Sequence, residues 1–304
     1  MKNKIIELSL FVIFLSLTFF SNVVTEELRN ALEVFFYVLF PSIFPFFLIS
    51  DLLIEYNFVH TINKIFKGLV EKIFHVGGAA SFIIIMSMTS GFPSGAKYIK
   101  SLYEKDMITL DEANYLISFT HFANPLFVLT VTKTIFNDTT TSIIILIAMY
   151  LANFLIGFII RPKKLQNKRN LEQSTIPNFS ISLTNSIKNS IDLLVLILGN
   201  TCFFFLITKL ISTYFIFNSY ITCIINGFFD MTKGIQSISI LPCSILFKSI
   251  LVITFICFGG INVNMQVASI ISDTNIEYKN FLLGRICQIA LATGIACFLS
   301  IIVS

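Results

Sequence analysis

The stretch SGFPSGAK, residues 90–97, follows the apolar run SFIIIMSMT and precedes another helical pattern. Two glycines and a proline interrupt the helix here, because proline lacks a backbone N–H and glycine has little helical preference. In lipid, each backbone group that such a break releases must find a partner in protein or water. The stretch therefore predicts a broken helix that lines a polar cavity, with a plain turn between two helices as the alternative.

The composition places this break inside a polytopic membrane protein. Of the 304 residues, 55% are hydrophobic and 12% are charged, which is too much apolar surface for one soluble core. The mean hydropathy is +0.84. The formal net charge of +4 is small and the cations collect in loops, which argues against a nucleic-acid partner. We therefore expect an all-α chain whose main partner is the lipid bilayer.

Seven apolar segments are long enough to cross a bilayer of about 30 Å, which takes about 20 helical residues. They lie near residues 5–24, 32–54, 115–136, 142–160, 191–212, 244–271 and 281–303. Two further apolar stretches, 74–98 and 219–241, are interrupted by glycine, proline or charge. We expect each of these two to form a re-entrant or broken hairpin beside about seven transmembrane helices.

Loop charges predict the orientation, because cytoplasmic loops carry an excess of lysine and arginine. Lys2 and Lys4 place the N-terminus in the cytoplasm, and the acidic loop 25–33 falls outside. If 74–98 enters and leaves on the same face, the most basic loop, 161–169, also lies in the cytoplasm. The C-terminus is then external.

A weak internal repeat supports this topology. FFLISDL at 46–52 resembles FFLITKL at 204–210, and each precedes an interrupted segment that begins at Gly91 or Gly227. A second interruption follows each of these glycines at the same distance, in ANPLF and in FGGINVNMQ. On the predicted topology the halves are inverted, and paired discontinuous segments in inverted repeats are typical of secondary transporters.

The residues at these four interruptions are the candidate substrate-binding residues. Glycine permits close backbone approach, helix starts offer free N–H groups, and hydroxyls and amides hydrogen-bond polar solutes. The first interruption contributes Ser90, Gly91, Pro93, Ser94, Gly95 and Lys97, and the second contributes His121 and Asn124. The third contributes Asp230, Thr232 and Gly234, and the fourth contributes Gly259, Gly260, Asn262, Asn264 and Gln266.

Three of these residues have competing interpretations. A carboxylate at a membrane helix centre costs about 2.5–3.5 kcal/mol, so Asp230 is expected to face a polar cavity or a partner such as Lys233. Lys97 either extends to the inner interface or binds a ligand. His121 is either a hydrogen-bonded structural residue or a proton carrier.

The sequence offers no arrangement of catalytic groups. Neither H-E-x-x-H nor G-x-S-x-G occurs, the three histidines are scattered, and the six cysteines form no CxxC pair. We therefore predict that the protein is not an enzyme and takes no metal or cofactor.

Five motifs together resemble the sporulation integral membrane proteins of the YlbJ type. They are LFPSIFPFFLISDLL (39–53), SGFPSGAK (90–97), DEANYLISFTHFANPLFV (111–128), GFFDMTKGI (227–235) and FGGINVNMQV (258–267). These proteins belong to a wider group with the nucleoside-recognition gate domain, which also includes nucleoside transporters. The resemblance covers the chain from about residue 30 onward. This sequence departs from the family's usual pattern at two positions. Family members commonly have Glu where this chain has Asp230, and often have His where it has Asn264.

The resemblance implies a bacterial inner-membrane protein required for spore formation, with a transporter-like gate fold that handles a small polar solute, with or without a coupling ion. It divides the chain into an N-terminal transmembrane anchor (1–29), a first gate-like repeat (30–160), a basic cytoplasmic linker (161–180) and a second gate-like repeat (181–304). One alternative is a secondary transporter of nucleosides or a similar solute without a sporulation role. The other is a non-transporting scaffold that acts through copies of itself or other sporulation membrane proteins.

Overall fold

The structure is a computed structural model that describes residues 2–164 and 178–303. All regular structure in those ranges is helical, and the prediction of an all-α polytopic membrane protein is confirmed. Residues 165–177, most of the predicted basic linker, lie outside the described residues.

The helices are numbered in chain order. The first half contains α1 (Lys2–Phe19), α2 (Ser21–Val34), a π-helical turn (Phe35–Leu39), α3 (Phe40–Glu55), α4 (Phe58–Phe74), α5 (Ala80–Ser90), α6 (Ser94–Glu104), α7 (Leu110–Phe119), α8 (Pro125–Phe136) and α9 (Thr139–Ile159). The second half contains α10 (Phe179–Tyr214), α11 (Ser219–Phe229), α12 (Met231–Ser239), α13 (Ile245–Phe258), α14 (Gly260–Ile271) and α15 (Tyr278–Val303).

Five helical segments of the described chain are long and apolar enough to cross a membrane. They are Ser21–Glu55, Thr139–Ile159, Phe179–Tyr214, Ile245–Ile271 and Tyr278–Ile302. Each contains most of one predicted crossing, so the protein is a multi-pass membrane protein. The first of them joins α2 and α3 through the π-helical turn, and the predicted domain boundary at residues 29 and 30 lies inside it.

Two predicted crossings take a different form. The segment 5–24 corresponds to α1, which ends at Phe19 before α2 begins at Ser21. The segment 115–136 was expected to be one crossing, but α7 ends at Phe119 and α8 begins at Pro125. Proline favours the first helical position and disfavours helix in the residue before it, so the chain is extended at Asn124 and a new helix starts there.

The two predicted hairpins are present as α5–α6 and α11–α12. In α5–α6, the rings of Phe82 and Tyr98 from opposite arms lie 5.9 Å apart. In α11–α12, a Cβ on Gly234 would lie 2.8 Å from the backbone nitrogen of Gly227, so only glycine allows the arms to pack this closely. Their re-entry into a membrane and their inversion stay predictions.

The two halves are interlocked. The long α10 of the second half packs against α2 and α3, and α15 packs against α7 and α9 of the first half. The tips of both hairpins line one shared cavity.

Candidate functional site

The first two breaks of the chain contact each other at Gly91 and Asn124. Gly91 has a φ of +77°, and a Cβ at this position would lie 2.6 Å from the backbone nitrogen of Asn124. The Asn124 side chain caps α8, accepting from the Leu126 N–H at 2.9 Å. Its Nδ2 donates to the carbonyls of Ser42 and Thr89, both at 3.1 Å. One amide therefore joins both breaks to α3.

The third and fourth breaks also contact each other, at Asp230 and Gly260. Gly259 and Gly260 have φ angles of +77° and +68°, which favour glycine. A Cβ on Gly260 would lie 2.9 Å from the carbonyl oxygen of Phe229 and 3.0 Å from the Cα of Asp230. The four breaks thus meet in two pairs, one in each half.

The Asp230 carboxylate is buried at the start of α12, and both of its oxygens accept hydrogen bonds. Oδ1 accepts from the backbone N–H groups of Thr232 at 2.7 Å and Lys233 at 3.1 Å, and from the Thr232 hydroxyl. Oδ2 accepts from Nδ2 of Asn262, whose Oδ1 accepts from Gln266 Nε2 at 2.8 Å. The positive end of the helix and these donors stabilise the negative charge.

A cavity of about 30 Å³ lies where the tips of the two halves meet. The first half lines it with Leu39, Ile43, Phe92 and Pro93, and the second half with Ile197, Thr201, Asp230, Met231, Thr232, Asn262, Val263 and Gln266. All of its polar side chains therefore come from the second half. Its volume suits a water molecule, whereas drug-sized ligands occupy cavities of about 300–1,000 Å³.

The candidate residues divide into those that line this cavity and those that hold the breaks around it. Pro93, Asp230, Thr232, Asn262 and Gln266 line the cavity. The lining excludes Ser90, Gly91, Ser94, Gly95, Lys97, His121, Asn124, Gly234, Gly259, Gly260 and Asn264.

The first hairpin tip uses its hydroxyl groups internally. Ser90 and Ser94 are buried with their Oγ atoms 2.7 Å apart, and Tyr98 donates to Ser90 at 3.1 Å. A Cβ on Gly95 would lie 2.7 Å from the carbonyl oxygen of Thr120, so this glycine permits contact with the second break. These groups stabilise the tip.

Asn264 has a similar structural position in the fourth break. Its Nδ2 donates to the carbonyls of Phe258 at 2.9 Å and Gly260 at 2.7 Å. Its Oδ1 accepts from the Tyr278 hydroxyl at 2.7 Å. The side chain thus connects the break between α13 and α14 to the start of α15.

Lys97 forms a largely buried ion pair with Asp51 of α3. The Nζ–Oδ2 distance is 2.7 Å, and the ammonium lies 5.2 Å from the centroid of the Phe47 ring. These contacts alone explain the position of Lys97, without the two predicted roles of extension to the interface or contact with a ligand.

Of the two alternatives for Asp230, a polar cavity or a partner such as Lys233, the structure places Asp230 on the cavity, and the Lys233 side chain pairs elsewhere. Its Nζ lies 2.6 Å from Oε1 of Glu27 in α2 and donates to the Phe205 carbonyl at 2.9 Å. Only its backbone N–H reaches Asp230, because the side chain extends along α12 toward α10 and α2.

Arg285 was missed by the sequence analysis and is fully buried in α15. Its Nη1 donates to the His121 carbonyl at 3.1 Å and its Nη2 to the Ser118 carbonyl at 3.0 Å. The guanidinium thus satisfies carbonyls that the end of α7 leaves free. A charged residue within the predicted crossing 281–303 was the available signal.

His121 lies behind the cavity wall. Its ring stacks on Phe92 with centroids 4.5 Å apart and contacts the ring of Phe281 edge-on at 4.8 Å. Its Nε2 is buried and has no hydrogen-bond partner among the described residues. The histidine therefore supports Phe92, a residue of the cavity wall.

One comparison places the chain beside a curated protein. It is 28% identical over 302 aligned residues to the sporulation integral membrane protein YlbJ of Bacillus subtilis (strain 168), covering 86% of this chain and 74% of that one. The resemblance predicted from the five motifs is confirmed. No family model matches the chain, and no solved structure matches it.

Proposed function

We propose that this homologue of a sporulation integral membrane protein acts in spore formation from the cell membrane, and that it binds a small polar solute between its two halves. The observation that carries the proposal is the meeting of two hairpin tips at a buried carboxylate. Breaks in membrane helices are tolerated where the chain lines a cavity, and they commonly mark solute sites.

The binding chemistry follows from the Asp230 network. In the described part of the chain, Asn262 is the one side chain outside α12 that donates to this carboxylate, so a solute N–H or O–H is the natural replacement for it. Gln266 and Thr201 stand beside Asn262 and offer further hydrogen bonds. We therefore favour a neutral or cationic solute with several donors, for which nucleosides and similar molecules qualify. For a solute to enter the cavity, Phe92 and Pro93 must move away from α12, because they form the cavity wall contributed by the first half.

A non-transporting scaffold is the second candidate function. The small cavity and the hydrogen bonding of Asp230 favour it, because both oxygens of that carboxylate already accept hydrogen bonds from the protein. In that case the protein acts through other sporulation membrane proteins or through copies of itself.

Complementation of a deletion strain tests the role in spore formation. We expect wild-type protein to restore heat-resistant spores and Asp230→Leu to fail while its amount in the membrane is unchanged. Ser239→Ala, which removes an exposed hydroxyl at the end of α12 in the same hairpin, serves as the matched control and should complement. Full complementation by Asp230→Leu would contradict the solute-binding proposal, and no sporulation defect in the deletion strain would contradict the sporulation role.

A further inference from the structure

A second, larger groove of about 410 Å³ lies on the surface of the first half, between α4, α5 and α9. Its lining is Phe66, Leu69, Val70, Ile73, Phe74, Ser81, Ile84, Ile85, Met88, Leu151, Phe154, Leu155 and Phe158. Among the described lining residues Ser81 is the only polar one, and its hydroxyl donates to the Gly78 carbonyl. The groove therefore offers only apolar contacts, which suits a hydrocarbon chain.

One end of the groove is closed by a fixed guanidinium. Arg161 follows the last turn of α9, and its Cζ lies 4.2 Å from the centroid of the Phe158 ring. Its Nη1 donates to the Ile73 carbonyl at 3.0 Å. Because Phe158 and Ile73 both line the groove, these contacts hold the guanidinium, which carries five N–H donors in all, at the groove's end.

Further positive charge surrounds this end. Lys163 and Lys164 follow Arg161 and are exposed, and Lys72 is exposed in the last turn of α4 beside Ile73. A planar guanidinium with nearby ammonium groups recognises phosphate oxygens well. An apolar groove that ends in such a cluster matches a molecule with a hydrocarbon tail and an anionic phosphate head.

We infer that this groove binds one anionic glycerophospholipid of the surrounding membrane. An acyl chain lies along α9 between Leu151 and Phe158, and the phosphate group contacts Arg161, Lys163 and Lys164. Basic pockets between membrane helices hold anionic lipid head groups by the same combination of burial and charge. This site is separate from the Asp230 cavity and does not depend on solute binding there.

Lipid retention by the purified full chain tests the charge requirement. Protein in detergent is exchanged with an equimolar mixture of phosphatidylglycerol and phosphatidylcholine, and bound lipid is counted by native mass spectrometry. Wild-type protein should retain one phosphatidylglycerol molecule in preference to phosphatidylcholine. Lys163→Gln with Lys164→Gln should lose that preference, whereas a matched control that neutralises the exposed Lys105 and Lys133 should keep it.

A second variant tests the groove itself. Leu151 and Ile147 lie one turn apart on α9 with 45% and 44% exposure, and only Leu151 lines the groove. Leu151→Trp should fill the groove and lose the retained lipid, while Ile147→Trp should retain it. Equal retention of both lipids by the wild-type protein would overturn the inference. So would a phosphatidylglycerol preference that survives in the double variant Lys163→Gln with Lys164→Gln, or lipid retention that survives in Leu151→Trp. Inorganic phosphate should not displace the lipid.

Discussion

In GFPSGAK and GFFDMTK, the tips of the two hairpins, the lysine occupies the same position and makes the same aromatic contact. The Lys97 ammonium lies 5.2 Å from the centroid of Phe47, and the Lys233 ammonium lies 5.1 Å from that of Phe205. These two phenylalanines are the second residues of FFLISDL and FFLITKL. The matched motifs therefore place equivalent side chains in equivalent contacts.

The tips differ in the group that reaches the cavity. Ser94 of the first tip stands where the second tip has Asp230, and its hydroxyl bonds to Ser90 within its own turn. Asp230 lines the cavity and accepts a hydrogen bond from Asn262. A common framework thus positions both tips, while the charged group belongs to the second half alone.

The carboxylates that pair with the two lysines also differ in origin. Asp51 lies within FFLISDL itself, whereas FFLITKL has Lys209 at that position. The second pair therefore takes its carboxylate, Glu27, from α2. The first hairpin is held by its own half, and the second by a helix of the other half.

The largest expected effect comes from removing these carboxylates. Glu27→Leu and Asp51→Leu should each lower the free energy of unfolding by about 3–5 kcal/mol, because a buried ammonium loses its partner. The loss should be greater for Glu27, since its pair with Lys233 is more buried, with side chains 8% and 11% exposed against 10% and 19%. Chemical unfolding of the purified protein in detergent measures the free energy of unfolding of both variants.

The rescue of each pair provides the control. Glu27→Leu combined with Lys233→Met, and Asp51→Leu combined with Lys97→Met, should recover most of the lost free energy. Double variants as unstable as the single ones would show that these contacts are not coupled pairs.

A smaller effect is expected at the close contacts between breaks. Gly91→Ala and Gly260→Ala should each lower the free energy of unfolding by about 1–3 kcal/mol from backbone strain, with an added steric cost. Gly199→Ala in α10 is the matched control, because a Cβ there meets nothing within 4 Å, and it should be neutral or stabilising. A clear loss in only one of the two breaks would show that the halves are not equivalent.

A change of about 1–2 kcal/mol is expected for Asp230→Asn, because asparagine keeps the helix cap but places a donor where Oδ2 accepted from Asn262. Ser94→Ala in the first tip should change stability by a similar amount. The two variants separate only in function: spore yield should fall for Asp230→Asn and not for Ser94→Ala. Equal yields would remove the functional distinction between the tips.

The smallest effect is expected at the exposed ion pair of Lys100 and Asp273, which joins α6 to the loop after α14 at 2.6 Å. The hydrogen bond from Lys100 lowers the pKa of Asp273 below its usual 3.8. Any stabilisation of the fold by this ion pair is therefore fully present above pH 3.8 and is lost as the pH falls through the lowered pKa of Asp273. Lys100→Gln should leave the unfolding midpoint at pH 7 unchanged within error.

Local signals in the sequence were sufficient to predict the breaks. Gly91 and Pro93 interrupt the first hairpin, Asp230 starts a helix within the second, and Pro125 starts α8. These features depend on backbone propensities, which act over a few residues.

Partners distant in sequence could not be predicted in this way. Glu27 reaches Lys233 and Arg285 reaches Ser118 only because α2 and α15 pack against the opposite half. The sequence indicates that each buried charge needs a partner. Whether that partner is a carbonyl, an amide or a carboxylate is decided by helix packing. Asn264 shows the same limit, since its contact with Tyr278 depends on where α15 begins.

The most direct test of solute binding at the second tip is a thermal-shift screen of purified protein in detergent against nucleosides, nucleobases, amino acids and dicarboxylates. A solute at about 100 times its Kd should stabilise the protein by about 2.7 kcal/mol. We expect a shift from one class of donor-rich solute that Ser94→Ala retains and Asp230→Asn loses. No shift from any class, or a shift that survives Asp230→Asn, would contradict a solute site at the Asp230 carboxylate.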